Sequence, residues 1–186
     1  MKYLIVACVL LGLSGCVTNQ LHFAAYSTEA ELAAVKSSVV QADIVQVTGA
    51  EKCTRCKESS KLVWHAANYN VGLYEGFANV PVDDWTDFTK RAVGVSPSST
   101  LKTSVEIDRV FVKTWNSPDY YACEVSLTVD IAGTKYAGHS RLKLKQAGQS
   151  LIGDKLAALN AKVLDTVGLT VKAAYMDALA NYHKVR

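Results

Sequence analysis

The chain has 186 residues, 49% of them hydrophobic and 20% charged, with 3 prolines and 11 glycines, which excludes a disordered chain, a collagen-like one and a multi-span membrane protein. Twenty Lys and Arg against 17 Asp and Glu leave a formal charge of +3, too small and too evenly paired to mark a nucleic-acid binder. What remains is one globular domain behind a distinctive N-terminus.

Residues 1–16 read MKYLIVACVLLGLSGC: one lysine, an apolar run over 3–13, then Ser14 and Gly15 before Cys16. Spanning a bilayer takes about 20 apolar residues, so this run predicts a secretion signal over 1–15 rather than a transmembrane helix. Leu13-Ser14-Gly15-Cys16 resembles the lipobox of bacterial lipoproteins, in which cleavage precedes the cysteine and the new terminus is lipidated. The resemblance makes Cys16 the expected anchor, and two or three acyl chains hold far more firmly than one. In lipoprotein sorting an aspartate after the cysteine favours inner-membrane retention. Val17 and Thr18 stand there instead, which implies the outer membrane, periplasmic face.

Residues 17–27 form a tether that reaches about 40 Å at most. In Thr28-Glu29-Ala30-Glu31, hydroxyl and carboxylate are spaced to satisfy each other's free backbone donors, a capping box that predicts a helix over 29–38. Residues 39–47 are β-branched enough for helix or strand, and 61–80 suggest a strand or two with loops. Asp83 or Asp84 caps a short helix with Trp85, Phe88 and Ala92 on one face, and Gly94 supplies a left-handed exit. A Ser-Pro-Ser-Ser loop follows within 95–100.

Residues 101–115 read as a strand whose faces switch between Ile107 and Val110, which predicts a bulge near Asp108-Arg109. Asn116-Ser117-Pro118-Asp119 makes the next turn. From 121 to 131 every odd position is apolar (Tyr121, Cys123, Val125, Leu127, Val129, Ile131), the pattern of a half-buried antiparallel strand. Residues 134–145 alternate again beyond Ala132-Gly133. A two-residue loop there puts Ile131 opposite Thr134, Asp130 opposite Lys135, Ser126 opposite His139 and Glu124 opposite Arg141, so apolar meets apolar and acid meets base. Ala disfavours a type I′ turn, which leaves the turn type open. After 150 the period turns helical: Ile152, Leu156, Leu159, Val163, Val167, Val171, Ala174, Ala178 and Tyr182 form a stripe. One helix of that length would be about 50 Å long against a domain diameter of about 40 Å, which predicts a bend or break near Gly168-Leu169-Thr170.

Among the cysteines, Cys8 lies in the signal and Cys123 on an inward strand face, as a small buried hydrophobe. Cys53-Thr54-Arg55-Cys56 admits several readings. Haem attachment would need His where Lys57 stands. A redox pair would need a helix N-terminus after a strand, although Lys52, Arg55 and Lys57 would lower a thiol pKa. Zinc could use Cys53, Cys56 and His65, but the second half of a zinc motif is missing. A structural disulfide in an oxidising compartment is the favoured reading, worth roughly 2 kcal/mol by loop entropy.

Lys135, His139, Arg141, Lys143 and Lys145 share one strand face, either as a solvated surface or as a site for anionic headgroups. Glu124 and Asp130 answer part of the row, which leaves Arg141, Lys143 and Lys145 as the candidate anion contacts. Asp83, Asp84 and Asp87 beside Trp85 are explained by helix capping. No Gly-x-Ser-x-Gly elbow, phosphate loop or His-Glu-x-x-His spacing occurs, so no catalytic residue, metal or cofactor is implied.

The lipobox, the long strand 105–115, the hairpin 121–145 and the closing amphipathic helix together resemble the small bacterial lipoproteins of the YajG type, and more loosely accessory outer-membrane lipoproteins with α+β sandwich domains. The segment carrying Cys53 and Cys56 has no counterpart in that pattern. The resemblance implies a non-enzymatic envelope lipoprotein, anchored in the membrane by lipid, with a protein partner in the envelope. The expected fold is a single α+β domain over 28–186: an antiparallel meander, helices on one face and a long C-terminal amphipathic helix. The alternatives are a thiol-disulfide redox protein using Cys53 and Cys56, or a lipid or lipopolysaccharide binder.

Overall fold

A computed structural model of the chain describes residues 25–67, 76–96, 98–116, 119–145 and 155–185. The expected signal segment over 1–15 and Cys16 therefore lie outside the described residues. Three helices, α1 (Glu29–Ser37), α2 (Trp85–Val93) and α3 (Lys155–Lys184), accompany β1 (Asp43–Thr48), β2 (Leu62–Ala67), β3 (Gly76–Ala78), β4 (Lys102–Asn116), β5 (Asp119–Ile131) and β6 (Thr134–Lys145). The fold is α+β, with the expected meander of β4, β5 and β6. No helix among the described residues is long and apolar enough to cross a membrane.

The meander is the antiparallel half of a larger mixed sheet, in the order β3-β2-β4-β5-β6. Both β1 and β2 run parallel to β4 along its other edge, β1 against Lys102–Glu106 and β2 against Val110–Trp115. Between those stretches β4 bulges, its register with β5 shifting between Ile107 and Arg109. One long strand thus changes partner at its own bulge. The chain fits through that gap because Gly49, at φ +77, passes where a Cβ would stand 2.5 Å from the Ile107 carbonyl oxygen. Segment 49–61 leaves the sheet there and returns where the Val110 N–H donates to the Lys61 carbonyl at 2.8 Å.

The hairpin register is the one the charges and the alternation predict, including Asp130 with Lys135, Ser126 with His139 and Glu124 with Arg141. The turn has positive φ at both Ala132 (+52°) and Gly133 (+85°), the type I′ combination. Ala pays a steric penalty there, and the Asp130 carboxylate accepting from the Gly133 N–H at 2.8 Å helps hold the turn.

One sheet face is built from Val105, Ile107, Val110, Val112, Cys123, Val125, Leu127 and Val129, all buried. Against it pack Val163, Val167, Val171, Ala174, Tyr175, Ala178 and Tyr182 of α3, the stripe read from periodicity with Tyr175 added, while its first members Ile152, Leu156 and Leu159 lie outside the residues whose side chains are described. Each fully buried side chain of this kind contributes about 1.5–3 kcal/mol. The expected cap residues hold. Thr28 and Glu31 form the capping box of α1, Asp84 accepts from the Asp87 N–H, and Gly94 closes α2 in the left-handed conformation.

Of the bend or break expected near Gly168, the break is absent: α3 runs without interruption from Lys155 to Lys184, about 45 Å along its length. Gly168 is a contact rather than an exit. A Cβ there would lie 3.4 Å from Ala92 and 3.6 Å from Phe88 of α2, so glycine lets the two helices approach. Thr166 and Thr170 satisfy their buried hydroxyls by donating to the carbonyls of Lys162 (2.8 Å) and Thr166 (2.6 Å), one turn earlier on the same helix.

α3 meets β6 just as closely, since a Cβ on Gly138 would collide with the Ala174 carbonyl oxygen and lie 2.9 Å from the Ala178 Cβ. The same helix covers the outer edge of β6. Asp177 accepts from the His139 N–H at 3.0 Å, Asn181 donates to the Ala137 carbonyl at 3.0 Å, and the Ser27 N–H donates to the Arg141 carbonyl at 3.0 Å. Edge groups that would otherwise invite another strand are thereby occupied.

Two stability changes follow from this packing. Ala132→Asn removes the left-handed penalty and is expected to raise the unfolding free energy by about 0.5–1 kcal/mol in urea denaturation. Gly138→Ala is expected to lower it by about 1–3 kcal/mol, because the clash is with helix backbone and no side chain there can move aside.

Candidate functional site

The face of the sheet turned away from the helices carries the side chains that sequence reasoning singled out. Its centre is apolar: Val63, Phe111 and Ala122 are buried, with Tyr26 and Cys56 packed against them. Neither cover comes from a regular element. Cys56 belongs to segment 49–61, and Tyr26 to the stretch entering α1.

Cys53 and Cys56 are joined in a disulfide, with Cα atoms 5.3 Å apart. Asn79, beside β3, pins the loop by accepting from the Cys53 N–H at 2.8 Å and donating to the Cys53 carbonyl at 3.0 Å. A second clasp comes from Arg109 at the β4 bulge, whose guanidinium donates to the Glu58 carbonyl at 3.0 Å and lies 5.2 Å from the Phe111 ring centroid. The pair connects β1 to β2, and no helix begins at either cysteine, so the helix-dipole arrangement of a redox site is not present there. His65 does not join the sulfurs. It stacks on Phe77 with centroids 4.4 Å apart, and no group of three or more His, Cys, Asp or Glu among the described residues is placed to hold a metal.

The basic row on β6 is answered mainly by acids. Arg141 pairs with Glu124 at 2.5 Å, His139 lies 3.9 Å from the same carboxylate, and Lys135 reaches Glu106 on β4 at 3.4 Å. Lys135 therefore bypasses its cross-strand neighbour Asp130, which is engaged at the turn. Lys143 stands over the Tyr26 ring, 5.6 Å from its centroid. Lys145 pairs through its backbone with Tyr120, and its side chain lies outside the described residues. Of the three expected anion contacts, Arg141 is thus paired with Glu124, Lys143 is exposed beside the Tyr26 ring, and the Lys145 side chain falls outside the described residues.

Of the three aspartates only Asp84 caps α2; Asp87, in its first turn, pairs with Arg91 at 2.8 Å, and Asp83 pairs with Lys52 at 3.0 Å. Cys123 is fully buried, and burial pushes its thiol up to about 12, with Thr170 opposing and Glu124 adding to the shift.

Lys113 was not foreseen. It points to the outer face, in a cross-strand row running Phe77, His65, Lys113, Ala122 and Lys143, yet is only 2% exposed. The signal was available in the run Val110-Phe111-Val112, apolar on both faces, which marks a strand covered on both sides. Burial holds the Lys113 pKa below its usual value, with the nearby Glu58 charge opposing. Burial, and then the Lys113 charge, hold His65 below its usual value as well.

At the hairpin-turn end of the sheet, Val45, Leu101, Thr103, Ile131, Ala132 and Tyr182 line a groove of about 430 Å³. Val45, 52% exposed, sits at a register shift in β1, whose outer edge has no strand partner among the described residues.

No family model and no curated protein matches the sequence. A solved structure described as the crystal structure of an uncharacterized protein is similar at 10% identity and a TM-score of 0.34, over 70% of this chain and 88% of that one.

The buried cation has a measurable signature. Both Lys113 and His65 have folded-state pKa values below their unfolded values of 10.5 and 6.5, so the unfolded chain binds more protons and stability rises with pH through each window. Lys113→Met is expected to stabilise the fold at pH 7, with the advantage narrowing as the pH approaches 10.5. The same variant should move the His65 titration upward, read from its imidazole NMR shifts.

Proposed function

We propose that the chain is an envelope lipoprotein, anchored through Cys16 in the outer membrane on its periplasmic face, whose domain is a non-enzymatic binding or assembly module for another envelope component. The N-terminal signature from Leu13 to Cys16 supports the anchor. The observation that carries the reading is the way the following segment enters the fold. Tyr26 is packed into the outer-face cluster and Ser27 is bonded to the β6 edge, so an anchor at Cys16 would hold the domain by one defined face. Tyr26 and Ser27, at the end of the expected tether 17–27, are thus part of the domain.

The binding role is supported by the other edge of the sheet. β6 is closed by α3 and Ser27, whereas β1 presents Val45 beside a groove with both apolar walls and polar groups. An edge of that kind suits an extended protein segment as partner. The disulfide serves this module as a structural clasp, since Asn79 and Arg109 hold its loop from two sides.

Mass spectrometry of the N-terminal peptide from membrane-extracted protein tests the anchor. The expected result is a chain beginning at an acylated Cys16, and Cys16→Ala is expected to shift the protein to the soluble fraction with its thermal midpoint unchanged. An unmodified Cys16 in membrane-extracted wild-type protein would overturn the proposal.

A further inference from the structure

We infer that the disulfide-closed loop between β1 and β2 is a membrane-contact element, set against the anionic headgroups of the bilayer that holds the chain; this rests on the lipid anchor proposed above. Three observations converge on it. The first is where the tether arrives. Tyr26 and Cys56 cover the same three side chains, Val63, Phe111 and Ala122, so the chain leading back to Cys16 departs from beside the loop, on the face opposite the helices. Ten residue steps separate Tyr26 from Cys16, a reach of about 35 Å at most, and the point from which that reach is measured lies on this face.

The second is charge. Segment 51–61 carries Lys52, Arg55, Lys57 and Lys61 against Glu51 and Glu58. Lys52 is paired with Asp83, and on β6 Arg141 and Lys135 are answered by Glu124 and Glu106, while Lys143 lies over the Tyr26 ring. Arg55 and Lys57 are exposed at the tip of the loop, and no acidic side chain pairs with either among the described residues. The loop therefore offers two exposed cations to a surface on this face.

The third is rigidity. The disulfide, the paired Asn79 bonds and the Arg109 bond to Glu58 hold the loop in place, so little conformational freedom remains to be lost on contact. Lys and Arg held at a leaflet of negative surface potential are attracted within about a Debye length, and salt weakens the attraction.

The test uses the full lipidated chain in phosphatidylcholine vesicles, with and without phosphatidylglycerol. The rate of tryptic cleavage after Arg55 and Lys57 is measured relative to cleavage after Lys36, exposed on α1. Anionic vesicles are expected to slow loop cleavage about tenfold at low salt, with high salt restoring the rate. Equal loop rates in both vesicles, or equal slowing at Lys36, overturn the inference. Sedimentation with the phosphatidylcholine vesicles needs only the acyl chains and reports the anchor separately. A protein that sediments there while its loop rates stay equal has an anchor but no loop contact, and one that fails to sediment refutes both.

Discussion

The bulge in β4 between Ile107 and Arg109 is the constraint on which the rest of this architecture depends. A regular strand of that length would keep one partner along its edge. Here the register shift ends the pairing with β1 and begins the pairing with β2, so two short parallel strands lie end to end along one long one. What lies between them is expelled from the sheet plane. That is why segment 49–61 comes to cover the outer face, and why Arg109, placed by the same irregularity, is at hand to clasp it. Gly49 is the steric condition for this crossing, since a side chain there would meet the Ile107 backbone.

The helical layer is fixed by a second pair of glycines that act through closeness rather than through flexibility. Gly138 lets α3 lie almost on the β6 backbone, and Gly168 lets α2 lie on α3. Close approach then puts Asp177 and Asn181, one turn apart on α3, within reach of the β6 edge groups. Packing on the inner face and protection of the edge are thus consequences of the same contact. The two sheet edges differ as a result: one is sealed by its own helix, and the other offers Val45 and a groove.

Where the chain's periodicity was strong, the fold was legible: the β5–β6 register, the β4 bulge, the α1 capping box and the α3 stripe all follow from spacing. Strand β1 was not, because its short apolar run suits helix and strand alike and only pairing with β4 decides, whereas the strand or two expected over 61–80 are β2 and β3. Of the bend or break foreseen at Gly168, the break is absent because a glycine inside a helix reads the same from sequence whether it ends the helix or admits a neighbour. The site was legible in kind, as a loop-closing disulfide and a basic strand, but not in arrangement. Which acid answers which base depended on β4, whose Glu106 takes Lys135 away from Asp130. Tyr26, in what reads as tether, gave no sign of its place in the outer cluster.

Burial of Cys123 carries a consequence for the order of oxidative folding. In the finished domain its thiol is enclosed, and the thiolate needed for exchange is scarce at neutral pH because burial raises the pKa to about 12. Before β5 pairs with β4 and β6, that same thiol is an ordinary competitor for either partner of the Cys53–Cys56 bridge. Sheet closure therefore acts as proofreading: once the strands have zipped, the third sulfur is withdrawn from exchange, and a correctly made bridge has no rival within the domain to reopen it.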